Sequence, residues 1–172
     1  MISARWLVTA SHCIHANEKY TVLLGAYDIH TKKQGAPKRY NIEKIIMHPE
    51  YNPANSHRND IALILLDCEA ELNEFVKPIK LAEAGESFVG EQCTLSGWGY
   101  IQSGIPPMFQ ETPNYLREVQ TVVHDEEFCK KWVADYSSAH LCTFRDGISA
   151  CGGNVYKEFN SYCDFLLFFV IF

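Results

Sequence analysis

No two of the seven cysteines form a C-x-x-C pair, which argues against a zinc knuckle or a thioredoxin-type redox site. They stand singly at Cys13, Cys68, Cys93, Cys129, Cys142, Cys151 and Cys163, a dispersal that suggests disulfides and an oxidising compartment. Because their number is odd, at least one thiol is unpaired or has its partner elsewhere. A basic stripe is also missing. The net charge is -6, and the longest basic cluster, Lys32-Lys33 with Lys38-Arg39, is interrupted by Gly35 and Pro37. It reads as a solvated loop, and nucleic acid is not an expected partner. No apolar run reaches the ~20 residues of a membrane helix. The longest, Phe165 to Phe172, is instead an aggregation hazard if exposed. Met1-Ile2-Ser3 leads straight into Arg5-Trp6-Leu7-Val8, so no leader peptide is expected in this sequence. Repeats and low-complexity segments are lacking too.

The 172 residues suffice for one domain or two small ones, and 47% hydrophobic with 21% charged residues is ordinary for a globular protein. Long helical periods are scarce. Short apolar or alternating runs predict strands at Arg5–Thr9, Tyr20–Leu24, Tyr40–His48, Ile61–Leu66, Gln92–Ser96, Glu118–Val123 and Ala139–Cys142. Gly25, Gly35-Ala36-Pro37, Asn52-Pro53, Ser103-Gly104 and Pro106-Pro107 punctuate them as loops. One helix is expected from Asp125, where Asp-Glu-Glu precedes Lys130-Lys131 in the order the helix dipole favours. A short helical turn is expected at Ala10–Ile14. Many short strands between frequent turns predict an all-β barrel or sandwich.

Three segments stand out, two for their chemistry and a third for a structural role. In Trp6-Leu7-Val8-Thr9-Ala10-Ser11-His12-Cys13 an apolar strand ends in small residues, and a histidine directly precedes a cysteine. Small neighbours let the imidazole lie against the protein wall, and a disulfide at the next residue would pin its backbone. In Asn59-Asp60-Ile61-Ala62-Leu63-Ile64 an aspartate stands where an apolar strand begins, and a carboxylate entering the interior needs a partner. Cys93-Thr94-Leu95-Ser96-Gly97-Trp98-Gly99 pairs glycines that permit sharp turning with a large aromatic. His12, Cys13, His15 and His57 are metal-ligand types, but their spacing fits no metal site, and none is expected.

These segments resemble the chymotrypsin/trypsin-like serine protease family. The first is similar to its T-A-A/S-H-C motif, the second to N-D-I-A-L, and the third to C-x-x-S/T-G-W-G. Tyr20 to Gly25 and His48-Pro49-Glu50-Tyr51-Asn52 extend the likeness, which covers about Ser3 to Gly153. The resemblance implies two antiparallel Greek-key β-barrels, both incomplete here: residues 1–80, lacking the first strands, and residues 81–153, the first part only. It implies His12 as general base and Asp60 as the carboxylate that fixes its tautomer. It implies a disulfide between Cys129 and Cys142, an oxyanion-hole role for Gly153, and a specificity-pocket position for Ser149. Trypsin-like members carry an aspartate at that position, so Ser149 implies a preference for apolar side chains. Protein or peptide substrates, protease inhibitors as further partners, an extracellular location and no cofactor follow from the same likeness.

The likeness fails at one decisive point. After Cys151 the family reads C-x-G-D-S-G-G-P, whereas this chain reads Cys151-Gly152-Gly153-Asn154-Val155-Tyr156. Asn154 replaces the aspartate and Val155 the nucleophilic serine. Ser149 and Ser161 lie in no equivalent context. Residues 154–172 form an unmatched aromatic tail, expected not to be protease sequence. The family's Ile-Val-Gly-Gly start, the partner of Cys13 and the last barrel strands have no counterpart here, so unpaired edges and low stability are expected. Two functions remain open: a serine endopeptidase chain inactive for want of its serine, and a non-catalytic homologue that binds proteins.

Overall fold

The computed structural model describes residues 1–30, 37–52, 58–98, 113–131, 136, 141–144 and 169–171. The chain divides into two compact units, Met1–Glu86 and Ser87–Phe172. Among the described residues strands dominate, and α1 (Glu126–Lys130) is the one α-helix. The chain is all-β.

In the first unit, β1 (Trp6–Thr9), β2 (Thr21–Leu24), β3 (Lys38–Met47) and β4 (Ala62–Leu66) form an antiparallel sheet in the order β1-β4-β3-β2. β4 explains why it holds together. Its sequence Ala-Leu-Ile-Leu-Leu alternates in burial, with Ala62, Ile64 and Leu66 directed inward. Flanked by β1 and β3 on its two edges, it leaves no edge of its own open. Leu66 is wholly buried among Leu7, Val22, Tyr40, Ala70 and Val76; removing such a side chain from water contributes roughly 1.5–3 kcal/mol. Tyr40 buries its ring while its hydroxyl accepts the Glu71 N–H at 3.0 Å, so the polar tip is satisfied.

β3 carries a bulge. Ile42 pairs with Leu66 and Lys44 with Leu65, so Glu43 is an extra residue. Arg5 uses it: Nη2 reaches Glu43 Oε2 at 2.5 Å, while Nε and Nη2 donate to the Leu66 carbonyl at 3.2 and 2.8 Å.

In the second unit β5 (Gln92–Gly97), β6 (Arg117–Val123), β7 (Thr143–Phe144) and β8 (Phe169–Ile171) form a sheet in the order β7-β6-β5-β8. Cys93 and Leu95 of β5 and Thr121 and Val123 of β6 face its interior. On the opposite face Gln120 donates to Thr94 Oγ1 at 2.8 Å from the directly paired position. Asp125 caps α1 by accepting the Phe128 N–H at 2.8 Å, and Glu126 meets Lys130 one turn on.

Two strand expectations need correcting. No strand includes Leu141 or Cys142; the short β7 begins at Thr143. Cys142 is tied to Cys129, and its carbonyl accepts the His124 N–H at 2.9 Å in register with the Val123–Thr143 pair, so the contact with β6 reaches Cys142 although the strand itself begins one residue later. Conversely, the apolar tail, to which the sequence assigned no element, supplies β8. Phe169–Ile171 pair with Ser96–Thr94 of β5, in keeping with the high β-propensity of such residues. Among the described residues no helix is long and apolar enough to cross a membrane.

Candidate active site

The register of the first sheet explains how residues 48 positions apart meet. Thr9, the last residue of β1, pairs with Ala62, the first of β4. The chain leaving β1 and the chain entering β4 therefore lie side by side. Beyond Thr9, extended Ala10 leads into a single 3₁₀ turn, Ser11–Cys13, closed by the Ile14 N–H donating to the Ser11 carbonyl at 3.0 Å. That turn carries His12. On the facing strand Asn59 adopts a left-handed conformation (φ 58°), and the Ile61 N–H donates to the Asn59 carbonyl at 2.8 Å. Asp60 is the central residue of this three-residue turn. Asparagine is among the residues that adopt positive φ most readily, and the Asn59 side chain secures the turn by donating to the Glu50 carbonyl at 3.3 Å.

The two side chains make a two-point contact. His12 Nδ1 lies 2.6 Å from Asp60 Oδ2, and the His12 backbone N–H donates to Asp60 Oδ1 at 2.8 Å. Both carboxylate oxygens are thus engaged, and the plane of the carboxylate is fixed against the imidazole. With side-chain exposures of 24% and 18%, the pair is partly shielded from water, which strengthens the hydrogen bond between carboxylate and ring. An ionised carboxylate only accepts, so Nδ1 carries the proton and donates it to Oδ2. Nε2 is then left with a lone pair for a hydroxyl proton, the requirement for a general base.

Tyr51 belongs to the same neighbourhood. Its N–H donates to the His48 carbonyl at 3.0 Å. Burial, and after it the negative charge of Asp60, push its phenol above the ordinary 10.0. The sequence marked Tyr51 only as part of a segment that extends the family likeness, and Ser11 only as a small neighbour of His12. Their placement beside the pair depends on tertiary contacts that no local pattern encodes.

Of the other expected site residues, Cys129 and Cys142 are joined in a disulfide with Cα atoms 6.1 Å apart. Ser149, Gly153, Asn154 and Val155 lie outside the described residues, as do His57, Cys151 and Cys163. Cys68 is exposed and Cys93 buried, both as free thiols.

The family model described as Trypsin matches residues 1–155. The chain belongs to the trypsin family of serine proteases. Mouse kallikrein-8 is 33% identical over 158 residues, covering 90% of this chain and 58% of the relative. Dog serine protease 1 is 34% identical over 157 residues, covering 90% and 60%. Among solved structures, mouse neuropsin, titled a serine protease expressed in the limbic system of the brain, superposes with a TM-score of 0.76 at 29% identity, covering 90% of this chain and 66% of that one. The fold is therefore that of trypsin-like proteases, and this trypsin-family chain spans about three fifths of the length of the curated relatives it matches. The family match takes in Val155, two residues past the point where the sequence motifs end.

Proposed function

We propose that this chain is a serine endopeptidase polypeptide in which the general-base pair His12–Asp60 is assembled while the nucleophile is missing, so that it does not itself cleave peptide bonds. The observation that carries this reading is the two-point contact of Asp60 with the His12 ring and backbone, at 2.6 and 2.8 Å. A carboxylate so bound would orient the imidazole and stabilise the imidazolium formed as a hydroxyl is deprotonated. In the complete reaction a serine attacks the scissile carbonyl, His12 takes its proton and later returns it to the leaving amine, and backbone N–H groups bind the oxyanion. Residues 1–80 supply the acid–base pair in this reading. Residues 81–153 supply Gly153 for the oxyanion and Ser149 for a pocket favouring apolar side chains. Val155 stands where the serine would be and has no proton to give up.

The ligands of such a site are protein or peptide substrates and the inhibitors that imitate them, and neither a metal nor an organic cofactor takes part. The Cys129–Cys142 disulfide supports an extracellular setting. Val155 also favours a second reading, in which the chain is a non-catalytic homologue that acts by binding protein. Incubation of the full chain with peptide esters and amides of aromatic, aliphatic and basic residues separates the two from an active enzyme. Both expect no burst and no turnover above buffer; hydrolysis that tracks the purified chain and disappears in His12→Ala would overturn them. Saturable binding of a peptide substrate analogue, lost in His12→Ala, supports the endopeptidase reading. Binding of protein at surface loops alone supports the second.

A further inference from the structure

Outside the His12–Asp60 contact, one buried hydroxyl crosses the same gap. Ser11 is fully buried, and its Oγ donates to the Ile61 carbonyl at 2.7 Å. Ser11 immediately precedes His12, and Ile61 immediately follows Asp60. Three links therefore join the two segments in succession: the Thr9–Ala62 strand pair, the Ser11–Ile61 bond, and the His12 N–H to Asp60 Oδ1 bond. We propose that Ser11 is a positioning residue, whose hydroxyl clamps the turn bearing His12 to the turn bearing Asp60 and so sets the geometry of the imidazole–carboxylate contact. This deepens the endopeptidase reading above and rests on it.

A bland alternative is that the hydroxyl merely satisfies a buried carbonyl. The Ile61 carbonyl does not need it, because the His48 N–H already donates there at 3.0 Å. A carbonyl oxygen has two lone pairs, and Ser11 fills the second. Removing the hydroxyl consequently orphans no acceptor, and Ser11→Ala deletes the clamp without leaving a buried group unsatisfied. What is lost is the connection between the segments. Strand pairing ends at Thr9–Ala62, so without Ser11 the contact of Asp60 with His12 loses a neighbouring tie beyond the end of the strand pair.

The test uses the full chain labelled with ¹⁵N-histidine, and reads the His12 Nδ1–H signal, its downfield position and its exchange with water. Ser11→Ala removes the clamp; Ser11→Cys keeps nearly the same volume with only a weak donor. Ile64→Val, a core change in β4 distant from the pair in character, controls for general loosening of the unit. In both Ser11 variants the exchange of the His12 Nδ1–H with water should rise on the order of tenfold, the equivalent of one hydrogen bond, and its resonance should move upfield. Ile64→Val should leave both unchanged. An Nδ1–H signal that is unaltered in the Ser11 variants, or altered equally by Ile64→Val, overturns the positioning role while sparing the His12–Asp60 reading. Absence of a downfield Nδ1–H in the unsubstituted chain overturns that reading, and the role of Ser11 with it.

Discussion

Replacing Asp60 by asparagine changes one atom and one charge, and the structure specifies the consequence. The carboxylate accepts twice, from His12 Nδ1–H at 2.6 Å and from the His12 backbone N–H at 2.8 Å. An asparagine retains one acceptor and turns the other into a donor. If its amide nitrogen faces the backbone N–H, two donors confront each other and a partly buried N–H loses its partner, at about 1–3 kcal/mol. If it faces the ring instead, the imidazole adapts by giving up its Nδ1 proton and holding the proton on Nε2. The second arrangement costs less, because a neutral hydrogen bond replaces a charge-assisted one. About 1–2 kcal/mol of stability is then lost from the first unit. The tautomer reverses, and the lone pair on Nε2 that a hydroxyl would need is gone. Nitrogen shifts of ¹⁵N-histidine in the folded Asp60→Asn chain report the tautomer, and urea unfolding followed through amide signals of the first unit reports the cost. A His12 that keeps its proton on Nδ1, with stability changed by less than about 0.5 kcal/mol, would refute the claim that Asp60 orients the ring.

Other outcomes follow from the packing and the titratable groups. Leu66→Ala empties a wholly buried position in the first core and should cost about 2–5 kcal/mol in urea unfolding, whereas Leu72→Ala, at an exposed position, should cost little. Reducing Cys129–Cys142, whose residues are 13 apart, should lower the stability of the second unit by about 3 kcal/mol, and an unchanged unfolding midpoint would count against a structural role. The Cys68 thiol is pushed above 9.0 by its hydrogen bond to Asp67, and burial raises that of Cys93. A raised pKa leaves less thiolate, so at about pH 8 Cys68 should alkylate more slowly than free cysteine despite its exposure. Cys93 should react only on unfolding, and mass mapping of iodoacetamide adducts checks both.

Sequence reading recovered what depends on local pattern. Ile61–Leu66 reads as a strand from its apolar run, and β4 occupies that place with one residue trimmed. Asp125, Glu126 and Glu127 before Lys130 pointed to a helix through the helix dipole, and α1 is that helix, with Asp125 capping it. The juxtaposition of His12 and Asp60 is a different matter. Nothing local in either segment says that the end of β1 lies beside the start of β4; only the motif resemblance brought them together, and the register supplies the physical reason. Ser11 illustrates the limit more sharply. A serine among small residues reads as space-saving, and its bond to Ile61 exists only because β1 and β4 pair. The bulge at Glu43 was not read from the sequence, although the alternation of Tyr40 and Ile42 breaks there, with Glu43-Lys44 standing before Ile45. At Cys142 the tie to Cys129 is likewise set by tertiary structure rather than by propensity.

The central claim is that an assembled general-base pair stands without a nucleophile. It is tested most directly by treating the folded full chain with a fluorophosphonate, which captures only a serine activated by its neighbours, and mapping the adducts by mass spectrometry. The His12 Nδ1–H signal verifies beforehand that the pair is formed. The expected result is that signal together with no phosphonylated serine; an adduct on Ser149, Ser161 or any other serine, lost in His12→Ala, would contradict the claim.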